Sequence, residues 1–204
     1  MAFTEMSCGE FAERLASQDS VPGGGGAAAL VGALGASLAS MVCNLTIGKK
    51  KYAHVEAEVL EILHSAEMLR VELLEQIDGD AKGFEPLAAA YSIPKDDPAR
   101  DGVMEEALRT ACRVPVKIIS GCAQILGLLD ELAEKGSVLA LSDVGCGAQL
   151  CRAAALSAWV SFRINTRDMK DREYAQRITN EVEPILTFCR NKSEEIYDRV
   201  LGKM

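Results

Sequence analysis

Four consecutive glycines, Gly23, Gly24, Gly25 and Gly26, open a long run of small apolar residues. If this run is a helix, its first backbone N–H groups are free, and the positive end of its dipole favours an anion or a carbonyl oxygen there. Glycine would also let a ligand approach the backbone closely. No strand is predicted before the glycines and no Gly-Lys-Ser/Thr follows them, so they form neither a dinucleotide fingerprint nor a phosphate loop. A flexible entry to a tightly packed helix is the alternative.

Two carboxylates, Asp78 and Asp80, close the second long helical run of the sequence. At a helix C-terminus the dipole disfavours ionisation, and so does the repulsion between the two groups, so we expect a raised pKa. A carboxyl of this kind suits general acid–base catalysis near neutral pH. If a new helix instead starts at Ala81, Asp80 is a plain N-cap.

A basic segment at the other end of the glycine-led run contains Lys49, Lys50, Lys51 and Tyr52. The lysines could bind an anionic ligand, although such runs usually form a solvated face and also offset the negative end of a helix dipole. Tyr52 could stack on a flat ligand or fill the core.

Polar residues near the ends of a later helix are further candidates. Ser142 or Asp143 suits its N-cap, whereas Arg163 and Asn165 near its end could bind a carboxylate or could only cap and pair. With two histidines in the whole chain, no Ser-His-Asp arrangement can be assembled.

Charge and composition exclude several classes of protein. The net charge of −8 argues against generic nucleic-acid binding, which needs a basic surface. Seven cysteines form no C-x-x-C pair and accompany only two histidines, so we expect buried free thiols rather than a zinc site. The N-terminus has no signal-peptide pattern, and reduced thiols fit a cytoplasmic protein. The uncharged stretch 27–43 is mostly Ala, Gly and Ser and slightly short for a membrane span, so a membrane-anchored bundle is a remote alternative.

The elements that must position these groups are predicted to be helices. Small residues recur every four positions at Ala28, Gly32, Ala36 and Ser40, which indicates a buried central helix. The 3.6-residue periodicity predicts helices at 4–16, 23–46, 54–80, 104–134, 144–165 and 171–201. Ser7 or Thr4 would be the N-cap of the first helix, the third would continue over 81–91, and the fourth would bend at Pro115. No hairpin pattern occurs. We therefore expect one all-α domain over 1–204, an up-and-down bundle of five or six long helices.

Three blocks of the sequence together resemble the cyclodeaminase/cyclohydrolase family. They read PGGGGAAA at 22–29, GALG at 32–35 and MVCNLTIGKKKY at 41–52. Later landmarks follow in the family's order, namely Asp80 with Phe84, Val114-Pro115, Glu134-Lys135-Gly136, Ser142-Asp143 and Arg163-Ile164-Asn165. The family includes the C-terminal domain of formiminotransferase-cyclodeaminase and stand-alone bacterial methenyltetrahydrofolate cyclohydrolases. The chain departs from the pattern at Ser161, where asparagine is common, and at Gly83 and Pro86 after Asp80.

The resemblance implies an all-α homodimer that binds a tetrahydrofolate derivative near the subunit contact, with Asp80 as the catalytic acid/base and no metal or nucleotide. The substrate-binding residues that it suggests are Gly23, Gly24, Gly25, Gly26, Asn44, Lys49, Lys50, Tyr52, Asp143 and Asn165. We expect hydrolysis of 5,10-methenyltetrahydrofolate to 10-formyltetrahydrofolate, because no formiminotransferase domain is present in this sequence. The alternatives are a formimidoyltetrahydrofolate cyclodeaminase and a folate-binding helical dimer without catalysis.

Overall fold

The structure, a computed structural model, describes residues 2–204 and contains seven α-helices and no strand within that range. The helices are α1 (Cys8–Leu15), α2 (Gly24–Asn44), α3 (Glu56–Tyr91), α4 (Arg100–Ala111), α5 (Arg113–Lys135), α6 (Leu141–Asp168) and α7 (Arg172–Gly202). Three short 3-10 turns lie at Phe3–Glu5, Lys50–Tyr52 and Val138–Ala140. Five of the helices are long and pack as a bundle, which confirms the predicted all-α class.

Helix α2 is the centre of the bundle, as its small residues predict. Twelve of its 21 residues are buried, and its most extensive contacts are with α3 and α6. The tightest contact of α2 with α6 is at Gly35, where an added Cβ would lie 2.5 Å from Cys151 Sγ and 3.2 Å from the Gly147 carbonyl oxygen. Only glycine leaves enough room for the two helices to meet at this distance.

Two stretches, Gly24–Asn44 and Arg100–Lys135, have the length and apolar composition of a membrane span. Core helices of bundles have the same composition, and most of α2 is buried among its neighbours. The second stretch is not one straight helix, because α4 ends at Ala111 and α5 begins at Arg113.

Helix α3 continues without interruption through Asp80, Gly83 and Pro86 to Tyr91, which confirms the predicted continuation over 81–91. The interpretation of Asp78 and Asp80 as the end of a helix was wrong. Pro86 is exposed and removes one bond, to the carbonyl of residue 82, which water can replace. Buried residues on both sides of the proline, Ile77 and Leu87, keep the helix packed on the core.

Instead of the predicted bend at Pro115, the structure has a break three residues earlier, at Cys112. Pro115 is the third residue of α5, where a backbone N–H would have no partner within the helix, so the proline is tolerated. The predicted N-cap of α6 was also wrong, because the helix already begins at Leu141 after Ala140, and Asp143 lies inside its first turn.

The N-terminal capping prediction is confirmed for Ser7, although α1 is shorter than the predicted 4–16. Ser7 Oγ accepts a hydrogen bond from the Glu10 N–H at 3.2 Å, and the Ser7 N–H donates to Glu10 Oε2 at 2.8 Å. Residues 3–5 form a separate 3-10 turn.

Candidate active site

The Asp80 carboxyl on α3 lies against the first turn of α2. The backbone N–H of Gly26 donates a hydrogen bond to Asp80 Oδ2 at 2.9 Å. A Cβ added to Gly25 would lie 2.2 Å from Asp80 Oδ1, so a side chain there would displace the carboxyl. The glycine run therefore supplies both a donor and the space for one aspartate.

Burial raises the pKa of Asp80, and the hydrogen bond from the Gly26 N–H lowers it by less, so the net pKa is above the ordinary value. The direction agrees with the sequence prediction, but the predicted cause was wrong. Asp80 lies within α3, which continues to Tyr91, so it is neither at a helix C-terminus nor an N-cap. Burial of the carboxyl between α2 and α3 raises its pKa, whereas the sequence analysis had assigned this rise to the helix dipole and to repulsion by Asp78.

Asp78 has a different environment from Asp80. Its carboxylate accepts hydrogen bonds from the Phe3 N–H at 2.7 Å and the Thr4 hydroxyl at 3.2 Å. Asp78 therefore fixes the N-terminal turn to α3, while Asp80 faces a cavity.

The cavity beside Asp80 has a volume of about 280 Å³. Five predicted site residues line it, namely Asp80, Asn165 of α6, Gly23, Gly24 and Gly25, and Gly26 is adjacent through its N–H. The other lining residues are Ser20, Val21, Gly83, Phe84, Leu87, Tyr91, Ala111, Val114, Pro115, Ser161 and Ile164.

Several lining residues were not predicted as site residues. Phe84, Leu87 and Tyr91 share a face of α3 with Asp80 at steps of three and four, a spacing that the predicted continuation over 81–91 already contained and that could have identified them. Ser161 lies one turn before Asn165 on α6, and that spacing could have identified it.

The remaining predicted site residues lie at the opposite end of the bundle. Asn44 ends α2, about 30 Å from Gly24 at 1.5 Å per residue. Lys49, Lys50 and Tyr52 follow it, and Asp143 is in the first turn of the antiparallel α6. Within one chain these five residues do not contribute to the cavity at Asp80.

A small hydrogen-bonded cluster organises this second group. The Lys49 ammonium donates to Ser137 Oγ at 3.3 Å, and the Tyr52 hydroxyl accepts from the Val138 N–H at 3.0 Å. The bond from Val138 holds the pKa of Tyr52 below its ordinary value. Gly48, at a φ of 77°, makes the turn into this segment in a conformation that favours glycine. Lys50 is exposed, so the cluster presents cations to solvent.

Within residues 2–204 the structure has no group of three or more His, Cys, Asp or Glu side chains placed to hold a metal ion. All seven cysteines are free; Cys8 and Cys146 are exposed and the other five are buried.

Comparison with known proteins gives a consistent result. The family described as formiminotransferase-cyclodeaminase matches residues 7–184. A methenyltetrahydrofolate cyclohydrolase of Methylorubrum extorquens is 39% identical over 198 residues, which cover 95% of each chain. The formimidoyltransferase-cyclodeaminase of Rattus norvegicus is 30% identical over 90% of this chain, which spans 35% of that longer protein.

A solved structure with the same fold comes from Thermotoga maritima and is described as a formiminotetrahydrofolate cyclodeaminase. It superposes with a TM-score of 0.84 at 30% identity and covers 98% of this chain and 96% of its own. The match spans all the helices that form the cavity and the lysine cluster. The chain belongs to the formiminotransferase-cyclodeaminase family.

Proposed function

We propose that this protein hydrolyses 5,10-methenyltetrahydrofolate to 10-formyltetrahydrofolate and that Asp80 is its acid/base. The observation that carries the proposal is the Asp80 carboxyl, which has a raised pKa, receives one backbone hydrogen bond and faces a cavity. The Methylorubrum extorquens cyclohydrolase supports the choice of reaction, since it matches along 95% of both chains.

The chemistry needs one group that accepts and then returns a proton. The bridge carbon between N5 and N10 carries the positive charge of an amidinium, and ionised Asp80 would both attract this cation and orient a water molecule. Water oxygen bonds to the carbon as its proton passes to Asp80. The C–N5 bond of the tetrahedral intermediate then breaks, N5 takes the proton from Asp80, and the hydroxyl proton leaves to solvent as the formyl group forms.

A formimidoyltetrahydrofolate cyclodeaminase is the second candidate, favoured by the Thermotoga maritima structure. In that reaction N10 attacks the formimino carbon on N5, and ammonia leaves after protonation. Both reactions pass through a tetrahedral carbon between the same two nitrogens, so Asp80 could serve either.

The two reactions are separated by supplying each substrate to the purified protein. Enzyme-dependent loss of methenyltetrahydrofolate absorbance, without ammonia release from 5-formiminotetrahydrofolate, is the expected result. Ammonia release would assign the cyclodeaminase reaction, and no turnover of either substrate would contradict both.

The protein also forms a homodimer in this proposal, through the exposed face of α2. Leu30, Leu34, Met41 and Leu45 fall on one side of the helix, and the last three are more than a third exposed. An antiparallel partner α2 would cover this stripe. A second copy of this chain would also explain why the predicted site residues lie at two opposite ends of the bundle. In an antiparallel pair, the end of the partner's α2 that precedes the lysines lies next to the glycines of this chain.

The register of the pair follows from the centre of the stripe. A twofold axis between Leu34 and Met41 sets residue n against residue 75 − n of the partner. Asn44, the last residue of α2 in one copy, then lies level with position 31 of the other, and the segment with Lys49 and Tyr52 follows Asn44 on the side of the partner's glycine run. Each folate site would therefore combine Asp80 of one subunit with the lysine cluster of its partner.

Mixed dimers test this arrangement. Asp80→Asn and a Lys49→Ala/Lys50→Ala double variant should each have little activity alone. When they are refolded together, half of the dimers are mixed and each has one intact site, so about a quarter of wild-type activity should return. If Asp80 and the lysines act within one chain, no activity returns.

A further inference from the structure

A second recess, shallow and open to solvent, lies apart from the Asp80 cavity in the groove between α2 and α3 and has a volume of about 510 Å³. Met41 and Leu45 are its apolar lining residues. Its polar lining residues are Ser37, Ser40, Asn44, Glu67 and Arg70. None of the reaction steps above uses Ser40, Glu67 or Arg70.

The Ser40 hydroxyl is the first sign that this recess binds a ligand. Ser40 is 5% exposed; its hydroxyl is close enough to the Glu67 carboxylate to lower the pKa of that group, but it makes no hydrogen bond of acceptable geometry among residues 2–204. Ser37, three residues earlier, is satisfied by donating to the Ala33 carbonyl oxygen at 2.8 Å. A buried hydroxyl without a partner is costly and uncommon, and a polar ligand atom in the recess would satisfy it.

The ion pair of Arg70 and Glu67 is the second sign. Arg70 donates to Glu67 Oε2 through Nε at 3.2 Å and through one Nη at 2.5 Å, so both bonds end on one oxygen. Arg70, and to a lesser extent the nearby Ser40, holds the pKa of Glu67 below its usual value, so this carboxylate is ionised at neutral pH. The other N–H donors of Arg70 have no partner in the described part of the chain. The guanidinium of Arg70 therefore has an unused cationic edge, and Glu67 has one oxygen, Oε1, that accepts no bond from Arg70.

We propose that this recess binds the p-aminobenzoylglutamate tail of the folate whose reacting end lies in the partner's Asp80 cavity. The benzoyl ring would pack at the edge of the stripe, on the sides of Met41 and Leu45 that face α3, and the tail carboxylate would accept hydrogen bonds from Arg70 and Ser40. The amide N–H of the tail would donate to Glu67. This inference rests on the proposed folate reaction and on the antiparallel dimer.

The dimensions of the two cavities support this division of the substrate. The Asp80 cavity, at about 280 Å³, is smaller than the roughly 300–1,000 Å³ of pockets that enclose a drug-sized ligand, so part of a folate must lie outside it. In the register above, Ser40 and Asn44 lie level with positions 35 and 31 of the partner's α2, about 9–15 Å along that helix from its Gly25. Within one chain, Ser40 is about 22 Å from Gly25 along α2.

Two substrates that differ only in the glutamate test the proposal. 5,10-Methenyltetrahydrofolate has the tail carboxylates, whereas 5,10-methenyltetrahydropteroate has the same rings without glutamate. Arg70→Gln should raise KM for the folate about tenfold with kcat nearly unchanged, the loss expected for one charge-assisted hydrogen bond. KM for the pteroate should not change. Lys117→Gln, in the groove between α3 and α5, is the matched control and should leave both substrates unaffected.

An equal rise of KM for both substrates, or no rise for either, would overturn the proposal. Thermal melting checks that Arg70→Gln remains folded, and Ser40→Ala provides a second variant.

Direct binding of p-aminobenzoylglutamate, with p-aminobenzoate and free glutamate as comparisons, tests the recess without any turnover. It therefore distinguishes a wrong assignment of the recess from a wrong assignment of the reaction. Arg70-dependent binding of p-aminobenzoylglutamate supports the recess even if neither substrate turns over. Equal Arg70-dependent binding of free glutamate would instead make it a site for unrelated carboxylates.

Discussion

The backbone N–H of Gly26 and the carboxylate of Asp80 are joined by a 2.9 Å hydrogen bond across 54 positions of the sequence. The bond engages Oδ2, and the missing side chain of Gly25 leaves room for Oδ1. One turn of α2 thus holds the carboxyl between two helices, where burial raises its pKa. The glycine run and the aspartate are one unit.

Gly25→Ala should lower kcat by about a hundredfold, because displacing a catalytic group by about 1 Å has an effect of that size. The added Cβ would lie 2.2 Å from Asp80 Oδ1. Gly24→Ala is the matched control, since a Cβ at that position meets no atom within 4 Å, and it should retain much more activity. Steady-state kinetics of the two variants check this; equal losses would show that the glycines do not act through Asp80.

Removing the Gly26 N–H should move the acidic limb of the pH–rate profile to higher pH. The hydrogen bond stabilises the ionised carboxylate and so lowers its pKa, and its loss leaves the effect of burial unopposed. Since the base must be ionised to activate water, activity then falls at a higher pH. Glycolic acid at position 26, which replaces the amide by an ester, makes this change. An unshifted limb would contradict it, and an ester at position 24 controls for the chemistry.

The stability of the fold should depend on pH through Asp80. A carboxyl whose folded pKa is above its unfolded pKa contributes stability that is fully present below the unfolded pKa and is lost as pH rises through the folded pKa. Asp80→Asn removes this loss, so the melting temperature of the variant relative to wild type should be higher at pH 8 than at pH 3. Thermal unfolding at both pH values measures the difference, and a constant offset would argue against burial as the cause.

Gly35→Ala should destabilise the bundle by about 1–3 kcal/mol, because overpacking a core forces helices apart. Its Cβ would meet Cys151 Sγ at 2.5 Å and the Gly147 backbone oxygen at 3.2 Å. Gly127→Ala, in α5 with no atom within 4 Å of the added Cβ, should instead stabilise by about 0.5–1 kcal/mol through helix propensity. Chemical denaturation measures the free energy of unfolding of both variants. Similar values for the two would show that α2 and α6 can move apart to accept the extra methyl group at little cost.

The bundle was predictable because its signals are local. The small-residue repeat at Gly32 and Ala36 indicates a central helix, and the spacing of Ser7 and Glu10 specifies a cap, both of which the structure confirms. Proline has different effects at two positions, depending on where the freed backbone groups lie. The continuation through Pro86 was predicted and is confirmed, since Pro86 is exposed on a helix that packs on both sides of it. The bend predicted at Pro115 was wrong, because this proline falls in the first turn of α5.

The candidate site was predictable only in part, because it depends on helices that pair far apart in sequence. Family resemblance identified Asp80, but the physical reason given from the sequence was wrong, since burial against α2 raises its pKa. The distance of about 30 Å between Gly24 and Asn44 follows once both are placed on one helix. The recess at Ser40 and Arg70 could not be predicted, because it forms only where α2 packs on α3 in one particular register. No local sequence pattern specifies that register.

The most direct test of the account is the turnover of 5,10-methenyltetrahydrofolate by Asp80→Asn, measured with the Kd for the folate. Asparagine keeps an oxygen for the Gly26 N–H but cannot exchange the proton, so kcat should fall by about 10²–10⁴ while Kd changes by less than about threefold. Asp78→Ala, which removes the bonds to Phe3 and Thr4, should lose stability but keep its kcat. An Asp80→Asn variant that binds folate and turns over at the wild-type rate would contradict the account.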